Sequence, residues 1–221
     1  MERMKPAVKR SLQVGLGVVV AAALAGGGYY WYKSSQYLTT DDAYVDGFQY
    51  VIQAPASGKV VNWEGYVGAT LTPGAVIGDI EAQSGNAMSD VPVESPGNVS
   101  IVQRDVADGE EVVAGTPMAY AYDLHNLYVT ANVKETLIRQ VHVGQKVKID
   151  IDAYPGQTFE GVVARIGLST ASALSEIPST SDNANFTKVT QVIPVTIDFT
   201  TYPVEPIVPG MDVTVHIVKN S

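Results

Sequence analysis

Cysteine is absent from the 221 residues, which excludes a disulfide, a thiolate nucleophile, a Cys-ligated zinc and an iron–sulfur cluster together. Histidine is scarce. His125, His142 and His216 are scattered along the chain and leave little for a metal site or a histidine base. Basic charge is short as well: 14 Lys and Arg face 23 Asp and Glu, and a net charge of −9 argues against a surface that grips nucleic-acid phosphates. Serines are plentiful, yet no G-x-S-x-G elbow occurs. Long charge-free apolar runs are lacking except for one, so the chain is not polytopic. At 46% hydrophobic and 17% charged residues it is not a disordered tail either. Much enzymology is thereby set aside. Twenty glycines and twelve prolines supply many turns, hence short strands rather than long helices. The length suits one ordinary domain or two small ones.

The single long apolar run is Leu12 to Trp31, LQVGLGVVVAAALAGGGYYW, without a charge. As a helix rising about 1.5 Å per residue it spans roughly 30 Å, the hydrocarbon thickness of a bilayer. Before it stand Arg3, Lys5, Lys9 and Arg10 against Glu2 alone; from Lys33 onward ten basic residues face twenty-two acidic ones. That asymmetry orients the N-terminus toward the cytoplasm, and Tyr29, Tyr30, Trp31 and Tyr32 suit the outer headgroup belt. Ala23-Leu24-Ala25 has the form of a signal-peptide cleavage site, but the apolar stretch runs past it into the aromatic belt. A buried soluble helix is disfavoured by Gly15, Gly17 and Gly26 to Gly28. The expectation is a basic cytoplasmic segment (1–11), an uncleaved single-pass cell-membrane anchor (12–32), a tether (33–43) and an acidic extracytoplasmic region.

That outer region reads as mainly β. Val147, Ile149 and Ile151 alternate with Lys148, Asp150 and Asp152; Val213, Val215 and Ile217 alternate with Thr214, His216 and Val218. Such alternation marks strands with one buried face. One helix is expected outside the membrane, Lys134 to Val141, KETLIRQV. An internal repeat is the most informative feature. APASGKVVNWEGYVGATLTPGAVIGDIE, from Ala54, is matched by ESPGNVSIVQRDVADGEEVVAGTPMAYAYD, from Glu94. Gly68 corresponds to Gly109 and Gly74 to Gly115, both 41 residues apart, and Gly58 to Gly97 at 39. Two such units, each too small for its own core, are expected to pair as a flattened sandwich. A lead-in strand and sandwich would occupy 44–123, with halves 54–81 and 94–123 joined by a loop at 82–90. A β-barrel would follow at 124–218.

The half-motif pair resembles the biotinyl/lipoyl-type domain, although no lysine lies between Lys59 and Lys134 to carry such a cofactor by an amide. The same fold occurs in the membrane fusion, or periplasmic adaptor, proteins of the haemolysin-secretion D type. TTDDAYVDG (39–47), LYVTANVKETLIRQVHVGQKVKIDIDAYPGQTFEGVVARIG (127–167), STASALS (169–175), NFTKVTQVIPVTIDF (185–199) and PGMDVTVHI (209–217) resemble, in order, segments of its EmrA-like multidrug-export branch. Phe186 and Ile193 depart from the tryptophan and arginine usual there. The family's coiled-coil hairpin between the lipoyl halves is missing, because nine residues span only about 14 Å as a helix. The resemblance implies a non-enzymatic adaptor without a cofactor or metal. It would form a homo-oligomer and dock on a polytopic exporter, of the major-facilitator type rather than the ABC type, to guide efflux outward. It also implies no outer-membrane channel to meet, as in a single-membrane cell. Partner contact is implied at Lys134, Glu135, Ser169, Ser172, Asn185, Phe186, Lys188 and Gln191.

Other features have plainer readings. Asp41, Asp42 and Asp46 lack the ligand spacing of a calcium loop and suit a hinge with capped turns. Asp150 and Asp152, two apart in a strand, suit its wet side. Ser169 to Ala184 is a long Ser/Thr-rich loop, a length that is often functional. The rival function is a surface-anchored binding module for a wall polymer or small ligand. It would need aromatic platforms, with Tyr44, Tyr50, Trp63, Tyr66 and Tyr154 as candidates.

Overall fold

The computed structural model describes residues 36–84, 87–170 and 190–219. The expected anchor and most of the Ser/Thr-rich loop lie outside them. Among the described residues no helix is long and apolar enough to cross a membrane. The described chain is almost wholly β.

The barrel region is one seven-stranded antiparallel sheet. Its strands are β1 (Tyr37–Thr40), β2 (Ala43–Asp46), β11 (Tyr128–Lys134), β12 (Lys146–Ile151), β13 (Thr158–Ile166), β14 (Val192–Phe199) and β15 (Val213–Val218), in the order β1-β15-β12-β13-β14-β11-β2. The alternation seen in the sequence turns Val147, Ile149, Ile151, Val213, Val215 and Ile217 into one core. Each such side chain contributes about 1.5–3 kcal/mol by leaving water. Both sheet edges come from adjacent chain. Val45 N–H donates to Met211 O (2.8 Å) and Gly210 N–H to Val45 O (2.8 Å), so β2 nearly closes the sheet back onto the approach to β15. Together β1 and β2 act as one strand bent at Asp41-Asp42. The expected tether is therefore shorter than 33–43. Tyr37–Thr40 is barrel wall, because Leu38 is apolar enough to bury while Thr39 shares a hydrogen bond with His216 Nδ1 (2.8 Å).

The lead-in strand also breaks. After β2 the chain leaves the barrel and re-forms as β3 (Gln49–Gln53) in a second body. Its other strands are β4 (Gly58–Val61), β5 (Thr70–Leu71), β6 (Val76–Ser84), β7 (Ala87–Glu94), β8 (Val99–Arg104), β9 (Glu111–Val112) and β10 (Pro117–Tyr122). They make two four-stranded sheets, β3-β10-β8-β5 and β7-β6-β4-β9, on a shared core that includes Ile52, Val60, Ile80, Ile101 and Met118. The repeat is visible in the pairing. Replacing β3, β10, β8 and β5 by β7, β6, β4 and β9 turns one sheet into the other. Gly68 N–H donates to Ile101 O and Gly109 N–H to Val60 O; Gly74 N–H donates to Ser95 O and Gly115 N–H to Ala54 O. These four bonds fix a 41-residue offset throughout. Gly58 and Gly97 are therefore not equivalent: Gly58 lies in β4 opposite Val112, Gly97 in a bend.

Two further expectations are corrected. The joining segment 82–90 is a β-hairpin rather than a loop, with β6 and β7 paired from Val76↔Glu94 to Ser84↔Ala87. Small and polar residues hid it, since backbone pairing needs no β-branched side chains. The helix at Lys134 to Val141 is instead the last residue of β11, a turn and a single 3-10 turn, η1 (Ile138–Gln140). A helix this short cannot repay nucleation. Leu137 and Ile138 pack on the barrel core instead, and Val141 is buried in it.

Candidate functional site

The register defines the two barrel ends. Asp46 opposite Tyr128 marks the end from which the chain crosses to the sandwich, since β3 follows Asp46 and β10 precedes Tyr128. Tyr37 opposite Val218, Lys146 opposite Val162 and Lys134 opposite Val192 mark the far end. The segment 135–145 caps that far end, running from β11 to β12. Glu135 N–H donates to Gln191 O (3.0 Å) and Gly144 N–H to Val163 O (2.8 Å). Gln145 is buried yet fully engaged. Its Nε2 donates to Gln140 O (3.1 Å) and Lys219 O (3.3 Å), while its Oε1 accepts from His142 N–H (2.9 Å).

Of the implied contact residues, the structure brings Lys134, Glu135, Ser169 and Gln191 to this end, where β11, β13 and β14 finish. Ser172, Asn185, Phe186 and Lys188 lie outside the described residues. The acidic candidates are engaged elsewhere. Asp42 Oδ1 accepts from Asn132 Nδ2 (2.9 Å), and Asp46 accepts from Gly47 N–H (2.8 Å) and Thr130 Oγ1 (3.1 Å). These bonds brace the bend and the exit of the β1–β2 strand. Asp150 accepts from Thr158 Oγ1 (2.6 Å) and lies 3.2 Å from His216 Nε2, whereas Asp152 falls beyond the end of β12. Among the described residues no three His, Asp or Glu side chains are grouped to hold a metal ion.

A cleft of about 780 Å³ opens between barrel and sandwich, lined by Tyr44, Val67, Val102, Tyr120, Tyr122 and Val208 among others. Burial lifts the Tyr44 phenol above its ordinary range, and the Asp46 and Asp42 carboxylates push it further. Burial likewise raises Tyr128 and Tyr202, and the Tyr202 hydroxyl donates to Leu124 O at the junction. Of the aromatic candidates only Tyr44 lines this cleft. Trp63 donates its Nε1 hydrogen to Gly65 O and packs on the sandwich core, and Tyr154 donates to Pro206 O. Tyr120 and Tyr122 were missed. The A-Y-A-Y alternation of 119–122 could have found them, because it sends two alanines to the core and both tyrosines to the other face.

A capped seven-stranded barrel joined to a twofold-repeated sandwich defines the class of fold. Residues 127–217 match the YknX-like beta-barrel domain. The chain is 41% identical to YhbJ of Bacillus subtilis (strain 168), named as an efflux system component, over 82% of this chain and 79% of that one. It is 35% identical to the colistin resistance protein EmrA of Acinetobacter baumannii over 57% of this chain, but spans only 36% of that relative. The solved periplasmic adaptor protein EmrA shares the fold, with a TM-score of 0.56 at 13% identity over 83% of this chain and 98% of that one. The chain belongs to the membrane fusion, or periplasmic adaptor, family of efflux systems, in its EmrA-like branch. This is a family of non-enzymatic adaptors.

Proposed function

We propose that this chain is the membrane-anchored adaptor subunit of an efflux exporter. The observation that carries the reading is axial order. Lys219 N–H donates to Gln36 O (3.0 Å), so the chain coming from the expected anchor joins the barrel at its capped end, with the sandwich at the opposite end. Anchor, barrel and sandwich would then stand in line away from the membrane. The sandwich would act as a lipoyl-like unit on which copies pack side by side. The barrel would meet a polytopic exporter, of the major-facilitator type, through Lys134, Glu135, Ser169 and Gln191. Its work would be to position and guide, with no bond made or broken. The β6–β7 hairpin occupies the place where the family's coiled coil departs, which supports an adaptor with no outer-membrane channel to reach. The runner-up, a surface-anchored binding module, draws on the tyrosine-lined cleft.

Affinity capture of the full chain from mild-detergent membranes, with mass spectrometry of co-purifying proteins, separates the two. A polytopic exporter in stoichiometric amount supports the adaptor. Its absence even after crosslinking would move the binding module ahead.

A further inference from the structure

The outer region is acidic overall, yet the capped barrel end is not. Lys134 closes β11, Arg139 sits in the 3-10 turn, Lys146 opens β12 and Lys219 follows β15. These are four of the ten basic residues in a region with twenty-two acidic ones. The described cap and the strand termini beside it carry one carboxylate, Glu135; Asp42, further up the wall, is bound to Asn132. The same end carries two large apolar side chains without cover. Val143 is 64% exposed at the tip of the cap, and Leu168 is wholly exposed just past β13. Apolar side chains ringed by cations suit an interface that is oily below and anionic at its surface.

Chain length limits where this end can be. Gln36 is hydrogen-bonded at the capped end and stands four residues after Tyr32, where the apolar and aromatic run closes. Four residues reach at most about 14 Å. If 12–32 crosses a bilayer, this end lies within one headgroup layer's reach of its surface.

We infer that the capped barrel end seats directly on anionic lipid headgroups, with Lys134, Arg139, Lys146 and Lys219 on the phosphates and Val143 and Leu168 dipping between them. The inference rests on the anchored-adaptor reading and adds a lipid contact beside the proposed exporter contact, the two sharing Lys134. The seat would hold the barrel upright, so that it does not swing on its short link. Each Lys or Arg held near such a surface contributes about fivefold to the ratio of seated to lifted molecules.

The absence of cysteine makes the test clean. Val143→Cys, Leu168→Cys and, as a distant control on β7, Met88→Cys each take one nitroxide label in the full chain. The variants are reconstituted into vesicles of phosphatidylcholine alone or with one-third phosphatidylglycerol, and collision with a water-borne nickel chelate is measured. Seating predicts that labels at 143 and 168 are shielded only with phosphatidylglycerol. Shielding should be lost at 1 M salt, where the screening length falls to about 3 Å. It should weaken about fivefold for each of Lys134→Gln, Arg139→Gln, Lys146→Gln and Lys219→Gln. The label at 88 should stay in water throughout. Labels at 143 and 168 that remain equally wet in both lipids overturn the inference, as does shielding that needs a co-reconstituted exporter. Flotation of the vesicles keeps the two readings apart. Protein that fails to float with either lipid refutes the anchor, whereas protein that floats with wet labels refutes the seat alone.

Discussion

Single side chains carry two separable loads. Gln145 ties the cap to the end of β15 and to the 3-10 turn, and all its partners are backbone groups. Gln145→Leu keeps the bulk but leaves buried acceptors unpaired, a cost of about 1–3 kcal/mol. In a chain of this size that lowers Tm by roughly 2–10 °C, readable by differential scanning calorimetry. Tyr44 carries a different load. Its folded pKa is raised by burial first and by Asp46 and Asp42 second, above the ordinary 10.0. A group whose folded pKa is raised contributes stability that is present below the unfolded pKa and is lost as pH climbs through the folded one. The protein should therefore lose stability above about pH 10, and Tyr44→Phe should blunt that loss. Ultraviolet titration of phenolate should show ionisation persisting above about pH 10, with Tyr44, Tyr128 and Tyr202 contributing to that late phase. A variant that loses no late-titrating phenol would refute the assignment.

Strands and turns show which sequence signals are physical and which are silent. Gly68 and Gly109 were paired by the repeat, and both adopt positive φ, +89° and +86°, with nothing closer than 3.8 Å to an added Cβ. Substituting Ala at either meets only backbone strain, about 1–2 kcal/mol. The two variants should match within about 0.5 kcal/mol in urea denaturation; a large inequality would break the proposed equivalence. The repeat was legible because glycine is the one residue whose identity reports backbone conformation directly. The barrel strands were legible because period-2 alternation is what a half-buried sheet requires. By contrast Y-L-T-T gives only one apolar residue, so β1 read as tether; its partner β15 is some 180 residues away, where no local pattern can point. Hydrogen exchange should show β1 amides protected to the same degree as those of β15, while a tether would exchange at once. The capped end was legible only in part: the resemblance implied partner contact at eight residues, and register brings four of them, Lys134, Glu135, Ser169 and Gln191, together there. The charge segregation there, like the tyrosine cleft, depends on pairing between distant segments and could not be seen in linear order.

At the scale of the whole molecule the two cores share no residue. The chain passes between them twice, from β2 to β3 and from β10 to β11. Trp63 packs against the sandwich core alone, and Trp31→Phe leaves it the sole tryptophan of the chain. Its fluorescence should therefore report sandwich unfolding in urea, with a midpoint distinct from that of far-UV circular dichroism, which averages both bodies. Coincident curves would mean that the junction couples them into one cooperative unit. The barrel, meanwhile, places β15 between β1 and β12, joining the first described strand to the last. Without Val213–Val218 the edges of β1 and β12 would be left unpaired on either side of a slot one strand wide. The barrel wall therefore forms only when segments some 180 residues apart in the chain have found each other, which couples the start of the wall to its closing strand.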